Sequence, residues 1–237
     1  MSTVNNNSSL QICRWHSFSN TTVLEKSAVT EILRAAHEAI ENRGAFHIVL
    51  AGGTTPRRVY ELLKTADTNW DKWHIYFGDE RCLPPDHADR NSLMAAQAWL
   101  NHIAISATQI HLIRAEEGAQ VAAEKYAALL SDVKTFDLVL LGLGEDGHTA
   151  SLFPNHDVGS PSKSPAALAV FDAPKPPPQR VSLSARRLSE TNQVIFLVTG
   201  NGKKEAVKNW RSKEKIPAST ITPKQGVDIY IESQLLV

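Results

Sequence analysis

The chain has little cysteine, no surplus of either charge and no long apolar run. Its two cysteines, Cys13 and Cys82, stand far apart in no metal-ligand or redox spacing, which argues against a disulfide framework or a zinc site and fits a reducing compartment. Twenty-five basic residues balance twenty-five acidic ones, so the electrostatic footprint that nucleic acid or an anionic membrane demands is missing, and any anion site has to be local. The longest apolar runs, at 138–143 and 194–198, fall well short of the roughly 20 residues that span a bilayer and read as buried strands. No internal repeat occurs. Residues 1–10 are rich in Ser and Asn and show neither a secretory nor an organelle-targeting pattern, so a short frayed tail is expected there. What remains is an ordinary globular composition, 42% hydrophobic and 21% charged, with the length for one packed domain across 1–237. The expectation is a cytoplasmic monomer with no cofactor and no metal, binding neither nucleic acid nor membrane.

Apolar periodicity then sets the fold class. Over 22–42, Leu24, Ala28, Ile32, Ala35, Ala36, Ala39 and Ile40 share one helical face, and Gly44 offers a stop. A short apolar run at 46–51 ends on Gly52-Gly53 and leads into helical spacing at 56–63. The alternation recurs, with strands expected at 74–77, 110–113 and 136–143 and helices at 91–102 and 118–130. Such alternation implies right-handed crossovers and a mostly parallel, doubly wound α/β sheet with helices on both faces. Residues 154–179 hold seven of the twelve prolines and are expected to run as a long irregular excursion. Strand patterns resume at 180–183, 193–199 and 227–231, with a helix over 203–210.

In open α/β sheets ligands bind beyond the carboxyl ends of the strands, and three turns there carry unusual residues. In Ala51-Gly52-Gly53-Thr54-Thr55-Pro56 two glycines let backbone amides approach an anion at the start of a helix. Taken alone, the turn is equally a phosphate cradle or a tight connection capped by threonines. The second turn, Gly78-Asp79-Glu80-Arg81, has too many charges for a core, and a solvated surface is its ordinary reading; Asn91 is placed to cap the following helix. The third, running from Gly142 to Pro154 as Gly-Leu-Gly-Glu-Asp-Gly-His-Thr-Ala-Ser-Leu-Phe-Pro, brings Asp146 and His148 into a glycine-rich loop. A histidine there is hard to account for as core packing, and the other eight histidines show no such setting.

These three runs, with Pro176-Pro177-Pro178-Gln179-Arg180-Val181-Ser182-Leu183, resemble 6-phosphogluconolactonases in order and spacing from about residue 12 to 230. The family shares its fold with glucosamine-6-phosphate deaminases, which have Tyr after the Asp-Glu pair and Asn-Glu-Pro after Asp-Gly-His; here Arg81 and Ser151-Leu152-Phe153-Pro154 hold those places. Arg90 departs from the usual Ser and receives no role. The resemblance implies a sugar-phosphate lactone as substrate. It implies a phosphate site from Gly52, Gly53, Thr54, Arg180 and Lys203, the last read without the family as a solvated neighbour of Lys204. His148, an imidazole of the kind that is neutral near pH 7, is implied as general base with Asp146 as its orienting acid. Arg81 is implied as a ligand of the phosphate or the sugar hydroxyls. A covalent Ser151 and a metal on Asp79 and Glu80 are weighed and set aside, the first for want of a strand-Ser-helix elbow, the second for want of further oxygen ligands. A sugar-phosphate sensor is a third reading, with no segment to spare for a DNA-binding domain.

Overall fold

The structure, a computed structural model, describes residues 11–236; the tail expected at 1–10 lies outside them. In chain order the elements are β1 (Cys13–Phe18), α1 (Thr21–Arg43), β2 (Phe46–Leu50), α2 (Thr54–Leu63), β3 (Trp73–Phe77), β4 (Asp79–Arg81), α3 (Asn91–Ala98), β5 (Ile110–His111), α4 (Ala119–Leu129), β6 (Phe136–Gly142), β7 (Ala167–Val170), β8 (Arg180–Leu183), α5 (Ala185–Ser189), β9 (Thr191–Val198), α6 (Lys204–Arg211) and β10 (Val227–Glu232).

Local chemistry explains the boundaries. The Asn20 side chain accepts from the Val23 amide at 3.0 Å to open α1, and Gly44, at φ 77°, closes it by donating its N–H to the Ile40 carbonyl. Leu24, Ala28, Ile32, Ala35, Ala36 and Ala39 form the buried face, which packs on β2, β6 and β10. After Asp137, β6 is apolar without alternation, and Leu138, Val139, Leu140 and Leu141 are all buried, as a strand covered on both faces has to be.

Seven strands form one sheet in the order β1-β10-β9-β6-β2-β3-β5, and every neighbouring pair is parallel. The expected parallel α/β sheet is therefore present. Two features differ from expectation. β1 is a half-exposed edge strand whose polar residues hid it. The segment at 180–183 does not join the main sheet: β8 pairs antiparallel with β4 and with β7, which lies inside the supposedly irregular excursion. From β2 the chain moves outward to β3 and β5, then returns to β6 on the other side of β2 and continues to β9 and β10. That reversal is a topological switch point, and its crevice opens at the carboxyl ends of β2 and β6.

The charges after β3 are not solvated. Glu80 is fully buried and accepts from the amides of Arg81, Asn91 and Ser92, each at 2.8 Å. Its carboxylate thereby caps α3, the place expected for Asn91, whose own side chain donates back to the Asp79 carbonyl and carboxylate at 2.9 and 3.0 Å. Arg90 is buried too. It pairs with Glu80 at 3.2 Å and Glu116 at 3.1 Å and donates to the carbonyls of Leu83 and Ile113, so it ties the 80–90 loop to the segment before α4.

Candidate active site

A cavity of about 340 Å³ fills the crevice. One wall is the glycine loop after β6. There the His148 imidazole sits with Nδ1 at 2.5 Å from Asp146 Oδ1, and the His148 amide donates to the same oxygen at 3.1 Å. Burial works against the Asp146 carboxylate, but the bonds from the His148 ring and amide outweigh it and hold the group below the usual aspartate range. An ionised carboxylate on Nδ1 makes that nitrogen the donor and leaves Nε2 as the lone-pair nitrogen. Asp146 lies behind His148, off the cavity wall, whereas His148 lines it.

The loop can take this form because two of its glycines have no substitute. A Cβ at Gly144 would come within 2.0 Å of His148 Nδ1, so only glycine leaves room for the ring. Gly147 sits at φ 83° against Ile216; its carbonyl accepts from the Ala218 amide, and the Gly144 amide donates to the His148 carbonyl at 2.7 Å. The His148 ring is thus fixed by backbone bonds rather than by packing alone.

Ser151 is unsuited to act as a nucleophile. It is buried, and its hydroxyl donates to Asp79 Oδ2 at 2.6 Å instead of facing the cavity. Asp79 lines the cavity with both carboxylate oxygens engaged, the other accepting from Asn91. Among the described residues no group of three or more His, Cys, Asp or Glu side chains is disposed around a common metal position.

The other walls carry the cations. Gly52 and Gly53 line the cavity at the start of α2, and that helix has no side-chain cap, which leaves its first amides open to an anion. Gly52 packs directly on the Asn91 side chain, where any Cβ would collide at 2.1 Å. Thr54 opens α2 but is exposed and stands outside the cavity wall, so of the expected cradle the two glycines reach the cavity and this side chain does not. Arg81 and Lys203 both face the cavity, and burial lowers the Lys203 ammonium from its ordinary value, with Glu145 opposing the shift. Arg180 lines the cavity too, yet its Nε and Nη2 already donate to the carbonyls of Pro177 and Lys175 at 3.1 and 2.9 Å. It therefore anchors the proline-rich strap as well as facing the site, a second duty that the sequence did not announce. Lys175, Phe153 and Asp79 also line the cavity without having been assigned to the site from sequence.

The family model described as glucosamine-6-phosphate isomerases/6-phosphogluconolactonase matches residues 19–230. The chain belongs to this family. A 6-phosphogluconolactonase of Nostoc sp. is 36% identical over 78% of this chain and 80% of its own length. The crystal structure of 6-phosphogluconolactonase from Thermotoga maritima superposes with a TM-score of 0.86 at 26% identity, covering 94% of this chain and all of that one. A monomeric glucosamine-6-phosphate deaminase shares the fold at a TM-score of 0.79, with 18% identity and coverage of 94% and 98%. Among the described residues no helix is long and apolar enough to cross a membrane.

Proposed function

We propose that this chain hydrolyses 6-phospho-D-glucono-1,5-lactone to 6-phospho-D-gluconate, the second step of the oxidative pentose phosphate pathway, with His148 as general base. The observation that carries the reading is His148, backed by Asp146, on one wall of a cavity whose other walls present cations and open helix amides. Water attacks the lactone carbonyl as Nε2 takes its proton. The negative charge that develops on the carbonyl oxygen is met by amides of the glycine loop, with Arg81 holding the phosphate or the sugar hydroxyls. When the tetrahedral species collapses, the bond from the carbonyl carbon to the ring oxygen breaks, and His148 returns the proton to that oxygen. Asp146 holds the tautomer and balances the imidazolium. The phosphate dianion is taken by the Gly52 and Gly53 turn with Lys203 and the free edge of Arg180.

A lactone is an activated ester, so general-base catalysis of roughly 10²–10⁴-fold, with positioning, supplies a large share of the acceleration and no covalent intermediate is needed. We read the chain as a single α/β domain acting as a cytoplasmic monomer, and assign it no cofactor, metal, nucleic-acid or membrane partner. The deciding experiment generates the lactone with glucose-6-phosphate dehydrogenase and follows its disappearance. Addition of the protein is expected to accelerate the loss steeply, and an unchanged rate would overturn the proposal.

A further inference from the structure

The ring of Phe153 is 1% exposed, yet it forms part of the cavity wall. Two functional groups lean on it. The His148 imidazole lies 4.9 Å away between centroids at a tilt of 45°, and the Arg180 guanidinium carbon stands over the ring face at 5.5 Å. The imidazole is held in a slot, with Gly144 at one side, Asp146 on Nδ1 and the Phe153 ring against it. A leucine would fill much of the same space, so apolar packing alone does not call for an aromatic ring. What an aromatic face adds is attraction for a cation. Arg180 is such a cation throughout, and His148 becomes one each time it takes a proton from water.

The surroundings make that second charge costly. Arg81, Arg180, Lys175 and Lys203 border the same cavity. Against them stand Asp146, on the imidazole itself, Asp79, whose carboxylate is already shared between Asn91 and Ser151, and Glu145, which pairs with Lys175 at 3.9 Å and opposes the charge of Lys203. His156 also meets the Phe153 ring in a T-shaped contact, 6.0 Å between centroids. We infer that Phe153 is a positioning residue: its ring fixes the His148 imidazole against Asp146, seats the Arg180 guanidinium at a set span from the base, and favours the imidazolium as it forms. The inference rests on the lactonase reading of the cavity for its effect on turnover, and acts through His148 and Arg180 rather than by contact with substrate.

The test compares wild type with F153L and F153Y, using kinetics on the phosphorylated lactone and an NMR titration of the His148 ring. F153L is expected to lower kcat about tenfold with a smaller change in KM, since a cation–π contact and a fixed rotamer are both lost. The midpoint of the imidazole titration is expected to drop by about half a pH unit, equivalent to roughly threefold weaker proton affinity, and the acid limb of kcat/KM to follow it. F153Y, which keeps the ring, should recover most of both losses. Wild-type behaviour in F153L would overturn the inference. So would equal losses in F153L and F153Y with an unmoved titration, because that pattern belongs to packing alone. If the wild type opens no lactone, the functional proposal fails, while the titration in F153L still decides whether the ring favours the imidazolium.

Discussion

At the carboxyl end of β6, His148 meets a carboxylate; toward the amino ends of β2 and β3, His47 and His74 meet other rings. His47 stacks on His74 at 4.7 Å, His74 on His111 at 5.6 Å, and His111 on Tyr76 at 4.4 Å, all within 20° of parallel. Their ring nitrogens bond within the stack, His47 Nδ1 to the Tyr76 hydroxyl at 3.2 Å and His74 Nδ1 to His111 Nε2 at 3.3 Å. Burial first, and the neighbouring imidazoles second, push His111 down to about 4. The same side chain thus serves as a half-buried aromatic in one place and stands poised against Asp146, at a cavity, in the other. The neighbours decide which: an ionised partner and an open nitrogen suit a proton acceptor, whereas other imidazoles and desolvation favour an uncharged stack.

The largest expected consequence follows from removing the poised ring. His148→Ala should lower kcat by about two orders of magnitude or more with little change in KM, as for a group that acts mainly in the transition state. Near-normal turnover in steady-state kinetics would erase the distinction between the two histidine settings. A subtler break leaves the histidine in place and closes its slot. Because a Cβ at Gly144 would come within 2.0 Å of Nδ1, Gly144→Ala should swing the ring off Asp146 and reduce kcat by about tenfold or more, the scale on which small misplacements of a catalytic group act. Circular dichroism should show the fold retained, and a fully active variant would mean that the Asp146 contact is dispensable.

A third change sharpens the contrast between the base and the cations that share its cavity. Lys203→Ala removes a charge from the phosphate side, so KM for the phosphorylated lactone should rise about tenfold with kcat held, a charged hydrogen bond being worth roughly 1.5–3 kcal/mol. Unphosphorylated gluconolactone should not distinguish the variant from wild type, and equal losses on both lactones would remove Lys203 from the phosphate site. Arg180→Ala is a less clean probe, since its guanidinium also holds the carbonyls of Lys175 and Pro177.

The Asp146–His148 pair and the glycine turns were legible in the sequence because their chemistry is local: the two side chains are two residues apart, and glycines announce close backbone approach wherever they cluster. The parallel sheet was legible because β2, β3 and β6 are apolar runs of helix-separated strands. β7 was not, being four residues in a proline-rich stretch and completed only by pairing with β8, which in turn pairs with β4 some hundred residues away in the chain. Glu80 read as a surface charge and Arg90 received no role because the partners that bury them, each other among them, are supplied by folding alone. Phe153 entered only as a member of the loop that carries the resemblance, and nothing in its own neighbourhood of sequence links it to Arg180.

The smallest expected effect on catalysis lies at the other end of the comparison, and its value is that a second observable should move while turnover does not. His111 belongs to the stack and does not line the cavity, so His111→Phe should leave kcat/KM for the lactone unchanged within about twofold, as is usual for a residue outside the reacting groups. Stability should respond to acid instead. An unfolded imidazole titrates near 6.5, whereas the folded His111 sits at about 4. Between those values the unfolded chain binds more protons than the folded one, so stability rises with pH through this window and is lost as pH falls through it. Asp146 has the opposite kind of group but the same sign: its lowered carboxyl lends stability above the ordinary aspartate range, which is lost only at more acid pH as the group takes up a proton. The wild-type thermal midpoint should therefore fall by a few degrees between about pH 6.5 and 4, and His111→Phe, which keeps an aromatic ring on Tyr76 but has no proton to bind, should flatten that fall. A variant as acid-sensitive as wild type would mean that the stack takes up its protons without strain, and the physical contrast with His148 would then rest on geometry alone.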